Sequence, residues 1–115
     1  MQVQGIGTYV PEPKGDRFTL KDTDSHAIGG QIHQETMLLT LINRVNSASS
    51  VFVGNGTSQW IELAPGDTMD LRDMDVSQVY VTATATGAPY TTPAKDTYGN
   101  YAYVDYIMHG RRYVK

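Results

Sequence analysis

Cysteine is absent from the 115-residue chain, which removes disulfide scaffolds, thiolate zinc sites and cysteine nucleophiles together. Long apolar runs are absent as well, and without a stretch of about 18 apolar residues no membrane-spanning helix is expected. The opening MQVQGIGTYV holds neither a basic n-region nor an apolar h-region, so no secretory signal is expected. Helix formers are scarce, with six Leu, three Glu, four Lys and five Arg, which leaves little material for amphipathic helices. Cations are in deficit: nine Lys and Arg face 12 Asp and Glu, for a net charge of −3. Three of those nine, Arg111, Arg112 and Lys115, sit together at the C-terminus with no acid among them. Nucleic-acid binding needs cations spread along a face to displace counterions, so it is not expected here.

Strand formers are abundant: Val, Ile, Thr, Tyr, Phe and Trp together supply 40 residues. Leu, Ile, Val and Phe number only 24, close to the lower limit for a self-sufficient core. The length fits one domain. These quantities predict a single all-β domain over residues 1–115 whose burial is completed by a partner.

Along the chain, residues 1–13 contain glycines that weaken a strand and two prolines, Pro11 and Pro13, that end one, so they read as an extended N-terminal arm. Residues 14–115 read as an antiparallel β-sandwich of about seven or eight short strands, with loops at 22–35 and 87–100. RFTLK at 17–21 fits a short strand. MLLTLIN at 37–43 is apolar on both faces, the pattern of a central or covered strand. Val51–Val53 and Trp60–Leu63 flank Gly54-Asn55-Gly56, a hairpin in which the glycines supply positive φ and Trp60 is expected in the core. Ala64-Pro65-Gly66-Asp67 fits a type II turn with Gly66 at the positive-φ position. Val79, Val81, Ala83 and Ala85 alternate with polar partners as a half-buried strand. Tyr101–Met108 alternates again, and His109-Gly110 is placed to turn Arg111–Lys115 back as a terminal hairpin. No helix is predicted.

Catalytic and metal chemistry find little purchase. Asp67, Asp70, Asp73 and Asp75 are dense enough to suggest Ca²⁺, but their spacing lacks the calcium-loop pattern and its closing glutamate, so they read as an acidic turn. Asp22, Asp24 and His26 form a weaker cluster, and His26 with His33 would need two further zinc ligands to which nothing points. Ser25-His26 has no G-x-S-x-G setting. Glu12, Glu35 and Glu62 are too scattered for glycosidic chemistry. Gly5-Ile6-Gly7 and Gly29-Gly30 lack the Lys-Ser/Thr or helix of a phosphate cradle. Asn55-Gly56-Thr57 fits a glycosylation acceptor, but the Asn-Gly turn explains the same residues. A non-enzymatic protein without cofactor or metal is expected.

The aromatic distribution points elsewhere. Five of the eight tyrosines lie in the last 18 residues, beside Arg111 and Arg112, and Tyr and Arg are the types enriched at protein interfaces. Cross-strand pairing, sugar stacking and base stacking are the competing uses of such residues. The interface candidates are Val3, Ile6 and Tyr9 in the arm, Ile28 and Ile32 in the long loop, and Tyr101, Tyr103, Tyr106, Arg111, Arg112 and Tyr113 near the C-terminus.

The run RVNSASSVFVGNGTSQWIELAPGDTMDL at 44–71, continuing to VYVTATA at 79–85, resembles a pattern in small virion proteins of tailed bacteriophages. That resemblance implies a β-sandwich serving as a capsid decoration protein on the major capsid protein, or as a head-tail connector or tail component. It implies localisation in the virion, a homo-oligomeric or lattice-bound state, and no catalytic residues. Residues 1–35 and 87–115 carry no part of it. The rival expectation is a carbohydrate-binding β-sandwich module with Trp60 and exposed tyrosines as stacking platforms.

Overall fold

In β3 (Glu35–Asn43), Leu39, Leu41 and Asn43 share one face and are buried, while Leu38, Thr40 and Ile42 share the other. That period of two sets the whole architecture. A computed structural model describes residues 8–28, 35–85 and 93–114, with eight strands and one 3₁₀ turn (Val76–Gln78). The remaining strands are β1 (Thr8–Leu20), β2 (His26–Ala27), β4 (Val51–Gly54), β5 (Gln59–Leu63), β6 (Thr68–Asp75), β7 (Tyr80–Thr82) and β8 (Ala102–Val114). They form two four-stranded antiparallel sheets in the orders β1-β8-β3-β6 and β2-β7-β4-β5. The chain is all-β, and the sheets face each other as a sandwich.

The core lies between them. The larger sheet contributes Leu20, Leu39, Leu41, Ala102, Val104 and Met108, each wholly buried, and the smaller sheet contributes Val51, Val53, Leu63 and Val81. Ile28, Val76, Val79 and Ala83 complete it from the connections.

Several sequence expectations are corrected by the pairing. Residues 8–13 are not a free arm: β1 pairs with β8 from Thr8↔Val114 to Leu20↔Ala102 and takes in RFTL. Pro11 and Pro13 do not end it, because β1 is an edge strand and prolines two residues apart place their nitrogens on the same, unpaired side. The terminal hairpin does not form either. Gly110 pairs with Glu12 on one side and Thr36 on the other, so β8 runs straight on between strands drawn from distant parts of the chain. Within the expected loop at 22–35, His26–Ala27 is a short strand against β7, Ile28 N–H donates to the Val79 carbonyl at 2.9 Å, and Glu35 opens β3.

The hairpin β4–β5 is found where the sequence placed it, with a different turn. Neither Gly54 nor Gly56 has positive φ; among the described glycines only Gly66 and Gly99 do. Asn55 closes the loop instead, its Oδ1 accepting from the N–H groups of Thr57 and Ser58 at 2.8 and 3.0 Å. Gly54 is required by proximity, since a Cβ there would meet the Ser58 carbonyl oxygen at 2.1 Å. The Ala64–Asp67 turn is as expected, with Gly66 at φ +93 and the Asp67 N–H donating to the Ala64 carbonyl at 2.8 Å. Val79, Val81, Ala83 and Ala85 all point inward as read, although only Tyr80–Thr82 is laddered.

Asn43 ties the two sheets. Wholly buried at the end of β3, it donates through Nδ2 to the carbonyls of Leu63 at 2.8 Å and Ser49 at 3.2 Å. Its own N–H donates to the Asp67 carbonyl at 3.0 Å, and its carbonyl accepts from Gly66 N–H at 2.7 Å. Replacing a buried donor strands the carbonyls it served. Asn43→Ala is expected to cost about 1–3 kcal/mol in urea unfolding. Asn43→Asp should cost more, because a carboxylate would face two carbonyl oxygens; equal midpoints for the two variants would contradict this role.

Candidate functional site

Two surfaces stand out, and both arise from unequal sheets. β1 and β8 each have 13 residues, whereas β4, β5 and β7 have four, five and three. The short sheet cannot cover the long one. Beyond the Thr36↔Gly110 rung, β8 is paired only with β1 among the described residues, as a two-stranded ribbon of Thr8–Pro11 and Arg111–Val114. The molecule is correspondingly elongated, 63 × 26 × 20 Å, with a radius of gyration of 16.5 Å against about 13 Å for a compact chain of this length.

The second surface is the side of the sandwich between the edge strands β5 and β6. Ile61 pairs with Val53 and so faces inward, yet it is 42% exposed because nothing described closes that side. A cavity of about 420 Å³ opens there, lined by Val53, Gly54, Ile61, Met69, Leu71 and Val79 together with Asn55, Gln78 and Trp60. Trp60 is 52% exposed, contrary to the expectation that it lies in the core. The lining is almost entirely apolar, and no group of three or more His, Asp or Glu able to hold a metal is found among the described residues. Five acidic residues and a single basic one, Arg72, fall between Gln59 and Asp75.

The sequence-predicted site residues separate into four groups. Val3, Ile6 and Ile32 lie outside the described residues. Ile28 is in the core at 3% exposure, which takes it off any contact surface. Tyr9, Arg111, Arg112 and Tyr113 are gathered in the ribbon, where Tyr9 stands opposite Tyr113, Val10 opposite Arg112 and Pro11 opposite Arg111. Tyr101, Tyr103 and Tyr106 make contacts within the fold. Tyr101 and Tyr106 pack against the core, and Lys95 Nζ sits 5.1 Å above the Tyr101 ring. The Tyr103 hydroxyl donates to Asp96 and accepts from Asn100 Nδ2 at 3.1 Å, fastening the turn at 96–100. That bond holds the Asp96 carboxyl below its ordinary range and pushes the Tyr103 phenol up, and burial raises Tyr106.

The polar clusters weighed as chemistry are also structural. His26 Nε2 is 2.7 Å from Asp22 Oδ1, and its ring lies 5.2 Å from that of Phe18. Asp67 Oδ2 accepts from Ala64 N–H at 3.0 Å, and Asp70 accepts from the Thr40 hydroxyl at 2.8 Å. Across the outer face of the large sheet, Arg17 Nε and Arg44 reach the two oxygens of Asp105, each at 2.7 Å. These bonds, Arg17's first, lower the Asp105 carboxyl below its ordinary range.

The open side was missed in the sequence, although a signal was present. Trp60 and Ile61 are adjacent on one strand, so they point to opposite faces and one of them must meet solvent or a partner. Compared with known proteins, the chain matches no protein-family model, no curated protein and no solved structure.

The Asp105 cluster gives a pH prediction. A carboxyl lowered in the fold contributes stability above its unfolded value of 3.8, and that contribution is lost as pH falls through the lower folded value. Asp105→Asn should therefore lower stability at neutral pH by about 1 kcal/mol, as expected for a partly exposed pair, and flatten the acid limb of the unfolding curve. An acid limb of unchanged slope would count against the cluster.

Proposed function

We propose that the chain is a non-enzymatic structural subunit of a tailed-phage particle, first as a decoration protein on the major capsid protein, with a neck or tail position as the alternative. The observation that carries this reading is the ribbon: two strands running past the sheet, bearing Tyr9, Tyr113, Arg111 and Arg112 at paired positions. Isolated two-stranded ribbons are marginal in water, so one that extends from a domain is best understood as built for a neighbour. The likeness of residues 44–85 to small phage virion proteins supplies the kind of particle, and the thin core agrees with a subunit stabilised by its neighbours through mass action. Peptide mass spectrometry with copy-number calibration on gradient-purified particles tests it. Copy number comparable with the major shell protein is expected, low copy number would move the subunit to the neck or tail, and absence would overturn the reading.

One observation favours a carbohydrate-binding module instead: Trp60 is 52% exposed and lines a cavity. An indole face can stack on a sugar, but specificity for sugar hydroxyls needs converging polar groups, and this lining is apolar. Trp60 is the single tryptophan, so its fluorescence reports on this site alone. Iodide should quench it, and oligosaccharides should leave it unchanged; saturable shifts with a defined glycan would establish the module.

A further inference from the structure

We propose that Asn55-Gly56 is a site of self-modification, where the β4–β5 turn closes the Asn55 side chain onto its own main chain and converts it, through a cyclic imide, to aspartate and isoaspartate. The reaction needs only this chain and water, so it stands apart from the assembly reading.

The chain has four asparagines, a chemically labile residue type, and their surroundings separate them. Ring closure requires a free N–H on the following residue, because that nitrogen is the nucleophile. The amides that follow Asn43, Asn46 and Asn100 are all engaged with backbone carbonyls: Arg44 N–H donates to Tyr103 at 2.9 Å, Ser47 N–H to Arg44 at 3.0 Å and Tyr101 N–H to Leu20 at 2.8 Å. No described residue accepts from the Gly56 N–H. Gly56 is also exposed, and it carries no Cβ to obstruct the approach.

Two sets of hydrogen bonds favour the attack. Asn55 Oδ1 accepts from the N–H groups of Thr57 and Ser58 at 2.8 and 3.0 Å, donors aimed at the atom on which negative charge develops as the ring closes. Buried Gln59 donates through Nε2 to the Asn55 carbonyl. Polarising that carbonyl makes the N–H of the same peptide unit, which is that of Gly56, easier to deprotonate. Gly56 N gives its proton to hydroxide and bonds to Asn55 Cγ; the Cγ–Nδ2 bond then breaks, and Nδ2 takes a proton from water and leaves as ammonia. Water opens the imide at Cγ to give aspartate, or at the main-chain carbonyl to give isoaspartate. One water is taken up and one ammonia released, with no change of oxidation state. Either product places a carboxylate in the lining that Asn55 shares with Trp60. Isoaspartate also adds a methylene to the turn that the Asn55 N–H closes on the Ser58 carbonyl at 3.0 Å.

Incubating the full chain in mildly alkaline buffer, with peptide mass spectrometry and chromatographic separation of the isomeric peptides, tests this. The amide-to-acid mass gain should appear at Asn55 as two isomers, with Asn43, Asn46 and Asn100 unchanged. Gly56→Ala and Gln59→Leu should each slow conversion about tenfold, less than the loss of a donor from an enclosed oxyanion hole because this turn is exposed. Alanine is accommodated at position 56, where φ is not positive and the added Cβ meets only the Tyr80 ring, at 3.2 Å. Should circular dichroism show Gln59→Leu to be unfolded, the wild-type chain reads the same contribution of the turn. Unfolding it in guanidinium should slow conversion at Asn55 and open Asn46, whose following amide is then released. Conversion at Asn46 or Asn100 ahead of Asn55 in the folded chain, or an Asn55 that converts no faster folded than unfolded, would overturn the proposal.

Discussion

Asn43 joins the last residue of β3 to both strands and turns that carry the chain from one sheet to the other. Its side-chain amide serves the Ser49 and Leu63 carbonyls, which bracket the β4–β5 hairpin, and its backbone serves the Ala64–Asp67 turn. A buried amide with fixed partners defines register in a way that apolar packing cannot. With Asn43 in place, the small sheet is held over one portion of the large sheet and no further. The length mismatch between sheets then has a definite position, and the ribbon and the open side follow from it.

The two exposed features are thus one consequence of strand lengths. A four-residue β4 and a three-residue β7 cover the rungs around Leu39, Leu41, Val104 and Ala102. Past those rungs the long pair β1–β8 continues with no second layer from the short strands, and beside them β5 and β6 do not meet. Charge is sorted along the same division, with the basic cluster at the far end of β8 and the acidic run on β5 and β6. Edges are otherwise guarded in the usual ways: Pro11, Pro13 and Asp16 on β1, and Asp70, Arg72 and Asp73 on β6, the last with φ at +51. Among the described residues, the lining of the gap between β5 and β6 holds no charged side chain.

Local signals in the sequence led to most of the fold. Alternation at Leu39–Leu41 and Val79–Ala85, the Asn55 reversal and the Gly66 turn are decided within a few residues, and each is found in the structure. What could not be read locally was pairing between distant segments. Pro11 and Pro13 look like breakers until β1 is known to be an edge, and His109-Gly110 looks like a turn until Glu12 and Thr36 arrive from opposite sides. The same limit applies to the aromatic end of the chain. Tyr101, Tyr103 and Tyr106 resemble their neighbours Arg111, Arg112 and Tyr113 in composition, but only the latter lie beyond the covered part of the sheet. Trp60 was misplaced because burial of the largest aromatic is the ordinary outcome, while its neighbour Ile61 already occupied the inward position.

Amide hydrogen exchange on the full chain, measured free and in purified particles, tests most directly whether the ribbon is secured by a neighbour. Local opening energies report which ladders are secured within one chain. In dilute solution the amides of Leu39, Leu41, Val104 and Met108 should be strongly protected, and those at 8–11 and 111–114 weakly. Incorporation into particles should protect the ribbon while leaving the core rungs unchanged. Ribbon amides that exchange at the same rate free and in particles would contradict it.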